Sequence, residues 1–115
     1  MQTQHLVEEL YFCEAECRKS YEECFLISIG HNNEKLNRCM ILNQECADTC
    51  RIAAISIEKD SENADKFLNL CTEICEATAI ECEKHDYDHC QACAKACFKC
   101  AEMCLIFQQT PKEIY

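Results

Sequence analysis

Glycine and proline are almost missing, one of each in 115 residues, and there is no tryptophan. Turns draw on those two small breakers, so their scarcity excludes a strand-rich sandwich and a loop-rich disulfide knot. A phosphate-cradling loop needs several glycines, which removes P-loop and dinucleotide-binding folds. Positive charge is also short: 11 basic residues face 21 acidic ones, for a formal net charge of −10. Such a surface repels phosphate backbones, so no nucleic-acid partner is expected. No apolar run approaches the ~20 residues of a membrane span, so no membrane partner is expected either. The first residues, Met1-Gln2-Thr3-Gln4-His5-Leu6-Val7-Glu8-Glu9, lack a basic region, an apolar stretch and a cleavage site, unlike a signal peptide. The expected compartment is the cytoplasm, where thiols stay reduced.

What the chain has in excess is cysteine, fourteen residues. That is above the ~8–10% that marks a cysteine framework. Three short breaks divide the sequence. In Gly30-His31-Asn32-Asn33, Gly30 suits a helix C′ position and Asn33 an N-cap. Lys59-Asp60-Ser61-Glu62 is a cap signal without Gly or Pro. In His85-Asp86-Tyr87-Asp88, Asp88 followed by Gln91 reads as a capping box. Thr110-Pro111 ends the last helix. Four helices follow, about 4–29, 34–59, 62–85 and 88–109. Short loops make neighbours antiparallel. The expected fold is all-α: one domain over 1–115, an up-down-up-down four-helix bundle with a cysteine-lined core, built from two hairpins at about 4–59 and 62–109.

The cysteines repeat. Cys13, Cys17 and Cys24 recur as Cys71, Cys75 and Cys82, each 58 positions on; Cys39, Cys46 and Cys50 recur as Cys93, Cys100 and Cys104, each 54 on. Cys90 and Cys97 are additional. The spacing reads C-x3-C-x6-C going up and C-x6-C-x3-C coming down. At about 100° per residue, steps of four and seven hold three cysteines within a stripe roughly 40° wide, on heptad core positions. The mirrored order stacks layers: Cys13, Cys50, Cys71 and Cys104; then Cys17, Cys46, Cys75 and Cys100; then Ser20, Asn43, Thr78 and Cys97; then Cys24, Cys39, Cys82 and Cys93. Ile27, Leu36, His85 and Cys90 lie above. Leu10, Ala53, Leu68 and Phe107, then Leu6, Ile57 and Ala64, lie below as an apolar plug. The expectation is a tube closed below and open above, with His31 and His89 near the open end.

A core of small thiols packs poorly and forgoes several kcal/mol per lost leucine-sized side chain, so packing alone does not explain fourteen of them. A disulfide framework is the second bland reading, but an i, i+4 bridge closes only a tiny loop. A redox enzyme needs one or two activated thiols rather than a filled axis. Soft thiolates select Cu(I), zinc or iron–sulfur clusters. Zinc in each of three four-thiolate layers leaves a net charge of about −6 in a narrow core, and the stripe supplies no Lys or Arg. Cu(I) ions that each bridge two thiolates, with each thiolate bridging two ions, leave the core neutral at about one ion per cysteine, roughly 14 in all. An S–metal–S unit spans about 4–5 Å, close to the ~5–6 Å between i, i+4 Cβ atoms. Iron–sulfur clusters favour cysteines on wrapping loops, whereas Cys90-x2-Cys93-x3-Cys97-x2-Cys100-x3-Cys104 is helical. An iron–sulfur electron-transfer protein and a zinc buffer stay open as alternatives.

The pairs Cys13-x3-Cys17, Cys46-x3-Cys50, Cys71-x3-Cys75, Cys93-x3-Cys97 and Cys100-x3-Cys104 recur on all four helices. A signal-less four-helix chain filled this way resembles the bacterial cytosolic copper storage proteins, from Leu6 to about Phe107. The resemblance implies cytosolic storage of multiple Cu(I) ions rather than catalysis, copper entering at one end, and a homotetramer of bundles. Expected partners are copper ions and a copper chaperone or small thiol carrier that delivers them. The exported branch carries several methionines at the mouth; here only Met40 lies near that end. The candidate ligands are all fourteen cysteines together with His85, on the axial stripe beside Cys90, and His89, one turn away. Met40 is a candidate thioether ligand or core filler, Met103 is packing, and Asn43 is a weak oxygen ligand or a hydrogen-bond partner of Ser20 or Thr78. Glu14, Glu16, Glu22, Glu23, Glu81 and Glu83 read as solvated. Tyr11, Phe25, Ile41, Ile52, Ile55, Phe67, Ile74, Ile80, Phe98 and Ile106 lie off the axis and read as contacts between bundles.

Overall fold

The computed structural model describes residues 3–31 and 34–109. Helix α1 runs Thr3–His31, α2 runs Asn37–Glu58, α3 runs Ala64–Glu83 and α4 runs Asp88–Gln109. A single 3-10 turn, Glu34–Leu36, leads into α2. Helix α1 packs on α2 and α4, and α3 packs on the same two, which closes an up-down-up-down ring. The molecule is a rod of 57 × 20 × 18 Å. No described helix is long and apolar enough to cross a membrane.

The helices form where the mirrored stripe lies, and their ends differ from the sequence reading in instructive ways. Gly30 is inside α1 and has no positive φ, so it is not a left-handed C′ residue. Asn33, as well as Thr110 and Pro111, lies outside the described residues. Helix α2 ends in a Schellman turn: Ser61 N–H donates to Ser56 O at 2.9 Å and Asp60 N–H to Ile57 O at 3.1 Å. The left-handed residue such a turn requires is Asp60, φ 54°, in place of the usual glycine. Aspartate is among the few residues that tolerate this region, so the turn is made without spending a second glycine. At the third break the capping box gives way to another arrangement. The Tyr87 carbonyl accepts the first bond of α4, from Gln91 N–H at 3.0 Å, so Asp88 is already helical. The Gln91 side-chain amide instead donates to the carbonyls of His85 at 2.7 Å and Glu83 at 3.1 Å, tying the end of α3 to the start of α4.

The lower end is the expected plug. Leu6, Leu10, Ala53 and Leu68 are fully buried, with Ile57, Met103 and Phe107 packed against them. Each buried leucine contributes about 1.5–3 kcal/mol. The upper end is less open than the tube picture implies. Leu36 is fully buried, Ile27 packs on the core, and every one of the fourteen thiols has no solvent-exposed surface.

Two glutamates read as solvated are buried. Glu14 is held by Arg18 at 2.7 Å and Arg51 at 3.7 Å, and Glu81 by His85 at 2.9 Å, Arg38 at 3.1 Å and Lys84 at 3.5 Å. Each follows or precedes an axial cysteine, and the inter-helix edge beside the core buries it. Of the off-axis apolar residues, Phe25, Ile41, Ile52, Ile80, Phe98 and Ile106 are exposed, whereas Tyr11, Phe67 and Ile74 pack partly on the chain's own core.

Candidate metal centre

Heptad positions aim the cysteines of all four helices at one axis, and the sulfurs meet there. All fourteen are free and buried. Cys13, Cys17, Cys46 and Cys97 form one group of potential ligands, Cys13, Cys46, Cys50 and Cys75 a second, and Cys50, Cys71, Cys75 and Cys100 a third, with sulfurs in each group within 4.8 Å of one another. Neighbouring groups share two members, so the three fuse into one column. Cys24, Cys39 and Cys90 form a separate group near the mouth. Sulfur–sulfur contacts run both along a helix turn, as in Cys71–Cys75 at 3.7 Å and Cys46–Cys50 at 4.0 Å, and across helices, as in Cys39–Cys82 at 3.2 Å and Cys46–Cys75 at 3.5 Å. The metal-free spacing is a little shorter than the ~4–5 Å of an S–metal–S bridge, so small rotations admit an ion between two sulfurs.

The α1–α2 and α2–α3 interfaces follow the mirrored layers, as in Asn43–Ser20 at 3.0 Å, Cys50–Cys71 at 3.7 Å and Cys39–Cys82 at 3.2 Å. The seam between α1 and α4 does not. Cys13 and Cys17 meet Cys97 at 3.8 and 3.5 Å, Cys17 meets Cys93 at 3.7 Å, and Cys24 meets Cys90 at 3.8 Å. Each α1 thiol therefore faces an α4 thiol one to two turns nearer the α4 N-terminus than the layer assignment. The layer arithmetic passes through three connected interfaces and closes on this one, which no loop joins, so the tilt of each helix accumulates there.

Between the column and the mouth group lies a polar layer. Asn43 is fully buried; its Nδ2 donates to Ser20 Oγ at 3.0 Å and to Cys39 Sγ at 3.7 Å, and its Oδ1 accepts from Cys93 at 3.3 Å and Cys82 at 3.4 Å. Thr78 turns its hydroxyl to the Ile74 carbonyl at 2.7 Å and the Leu42 carbonyl at 3.2 Å. The fourth position of this layer belongs to Cys93 rather than Cys97.

The two candidate histidines separate. His89 Nε2 lies 3.3 Å from Cys24 Sγ, and its ring stacks on Tyr87 with centroids 5.5 Å apart. His85, expected on the axis, points instead at Glu81, with Nε2 2.9 Å from Oε2. Met40 is half-buried and its sulfur accepts a bond from Ser28 Oγ at 3.8 Å; Met103 packs on the core as expected.

Crowding sets the thiol chemistry. Bonds from Cys39 and Cys90, followed by His89, outweigh burial and draw the Cys24 thiol down to about 2. Around Cys97 the neighbours Cys13, Cys17, Cys46 and Cys93 act the other way, with burial, and push its thiol up. Thiols in mutual contact are thus shifted in opposite directions, and a soft cation bound between two sulfurs removes the conflict. No described Lys or Arg is buried, so the core supplies no positive charge of its own.

The four-helix fold that carries this column is found in known proteins. The family model of the copper storage proteins matches residues 1–109. The chain belongs to the copper storage protein family. Among solved structures in that family, the chain is similar to the Cu(I)-bound copper storage protein BsCsp3, with 42% identity and a TM-score of 0.84 over 91% of this chain and 97% of that one. It is 44% identical over 98 residues to the uncharacterised cysteine-rich protein YhjQ of Bacillus subtilis, covering 85% of this chain and 88% of the relative. A cytosolic copper storage protein of Streptomyces lividans, solved with five coppers, has 23% identity but a TM-score of 0.86 over 96% of this chain and 94% of that one, a likeness of fold. The sequence pointed to the copper storage proteins through the C-x3-C pairs. It gave little sign of the buried Glu14 and Glu81, whose one signal was their position beside axial cysteines.

Proposed function

We propose that this copper storage family member holds multiple Cu(I) ions on the thiolates of its core, as a store or buffer rather than a catalyst. The observation that carries this reading is the column itself: buried, unpaired thiols in fused groups of four, with no buried Lys or Arg among the described residues. Bridging Cu(I) leaves such a core neutral, whereas zinc leaves several uncompensated negative charges. An iron–sulfur cube gathers four thiolates around one compact body, and a column of shared groups suits it poorly. The ligand set we assign is Cys13, Cys17, Cys24, Cys39, Cys46, Cys50, Cys71, Cys75, Cys82, Cys90, Cys93, Cys97, Cys100 and Cys104, with His89 as a mouth ligand. His85 serves there through Glu81.

We read the chain as one domain made of two repeated hairpins and place it in the cytosol, in line with the Streptomyces relative's description as cytosolic. The exposed Phe25, Ile41, Ile52, Ile80, Phe98 and Ile106 support assembly into a homotetramer. Light scattering then gives a mass several times 13.3 kDa. The delivering partner is a copper chaperone or a small thiol carrier.

The test is an anaerobic Cu(I) titration of the reduced protein in competition with a Cu(I)-specific chelator. Binding continues to roughly 14 ions per chain when each thiolate bridges two ions, releases protons, and weakens as pH falls. Saturation at three or four ions sinks the filled column, and preference for zinc over Cu(I) sinks the copper reading.

A further inference from the structure

The polar layer divides the sulfurs into two populations. Below it lie the three fused groups; above it lie Cys24, Cys39 and Cys90, with Cys82 in contact with Cys39 at 3.2 Å. Among the described residues no ligand group spans the layer. Ser20, Asn43 and Thr78 offer only oxygen and amide groups, which are hard, weak donors for Cu(I). Cys93 is the one sulfur in the layer. It shares the Asn43 Oδ1 acceptor with Cys82 on the upper side, at 3.3 and 3.4 Å, and touches Cys17 at 3.7 Å and Cys97 at 3.9 Å on the lower side.

We propose that Cys93 is a relay that carries Cu(I) across the polar layer, held in place by Asn43. This rests on the Cu(I) reading above. An ion on Cys82 and its neighbours forms a bond to Cys93 sulfur as the thiol gives up its proton. The bond to Cys82 then breaks, and that sulfur takes a proton or the next ion. The ion passes to Cys17 and Cys97 by the same exchange, and copper stays Cu(I) throughout. Asn43 Oδ1 keeps Cys82 and Cys93 aimed at one point, so a single oxygen sets the distance of the jump.

The experiment mixes reduced apo-protein anaerobically with Cu(I) supplied as its acetonitrile complex and follows Cu(I)–thiolate absorption in the ultraviolet. Wild type loads in a fast phase above the layer and a slower phase below it. In Cys93→Ser the slower phase falls at least about tenfold, because a hydroxyl replaces the soft donor at the crossing, while total capacity drops by about one ion. Cys104→Ser, at the plugged end, loses the same capacity and slows the slower phase by no more than about twofold, in proportion to the lost site. Cys93→Met retains a soft sulfur and stays within about threefold of wild type, so the relay is decided even where the serine variant folds badly by circular dichroism. Equal slowing in Cys93→Ser and Cys104→Ser, or a methionine variant as slow as the serine one, overturns the relay. Failure of wild type to take up Cu(I) overturns the storage reading instead.

Discussion

The two ends of the bundle are built from the same repeat and finished differently. At the lower end Leu6, Leu10 and Leu68 close the axis with aliphatic side chains, directly below sulfurs that form one continuous column. At the upper end the axis passes through a polar layer, a small thiol group and His89, beside a buried carboxylate held by Arg38, Lys84 and His85. Among the described residues the lower end of the axis is lined by apolar side chains, whereas the upper end carries amide, thiol and imidazole groups. A repeated scaffold thus gives rigidity to one end and chemistry to the other through a few residues that break the repeat.

The strongest way to sharpen that contrast is to truncate one leucine at each end. Leu68→Ala is expected to lower apo-protein stability by about 2–5 kcal/mol in denaturant titration with no faster copper uptake. Leu36→Ala has a similar cost but loads faster, because it thins the covered end. Equal acceleration in both variants breaks the assignment of the mouth. Removing the polar node comes next. Asn43→Ala removes the bonds to the Ser20 hydroxyl and to three thiols, Cys39, Cys82 and Cys93, and costs about 1–3 kcal/mol, read by the same titration; an unchanged midpoint shows that the polar layer rearranges freely. Smaller again is the effect of the histidines. His89→Ala slows the first phase of uptake severalfold, whereas His85→Ala leaves that phase within about a factor of two, since His89 reaches a thiol and His85 points at Glu81 instead.

The smallest effect concerns acid. Burial pushes the Glu81 carboxyl up, but bonds from His85 and Lys84 outweigh it and hold the group below its ordinary 4.5. A depressed carboxyl stabilises the fold above the unfolded value and loses that contribution as pH falls through the folded one. Apo-protein melting temperature should therefore decline below about pH 4.5, and Glu81→Gln should flatten the decline. Parallel curves for the two proteins remove Glu81 from the account.

The helices, the axial stripe and most of the layering were legible in the sequence because each follows from a strict period. Steps of four and seven leave no choice of face, and short loops fix which helices are antiparallel. The α1–α4 register was not legible, because it depends on tilts that no spacing encodes. Placing Cys93 in the polar layer, and choosing between His85 and His89, both depended on that register. The burial of Glu14 and Glu81 was hidden for a different reason: a glutamate beside an axial cysteine looks solvated until its cationic partners on the same and the neighbouring helix are brought alongside. Asp60 in a left-handed turn shows the limit from the other side, since the scarcity of glycine was visible but not which residue would stand in for it.

The complete burial of all fourteen thiols makes filling a problem of breathing. A closed vessel loads at the rate at which its wall opens, multiplied by the chance that an ion is waiting. Thiol-directed reagents and Cu(I) then sample the same opened states, and the reactivity of Cys24 and Cys90 becomes a gauge of how often the upper end unlatches. Leu36 and the Tyr87–His89 stack would act as the spring of that latch, so that changes at Leu36 or Tyr87, which hold no ion, alter the rate of delivery while leaving the amount stored where it was.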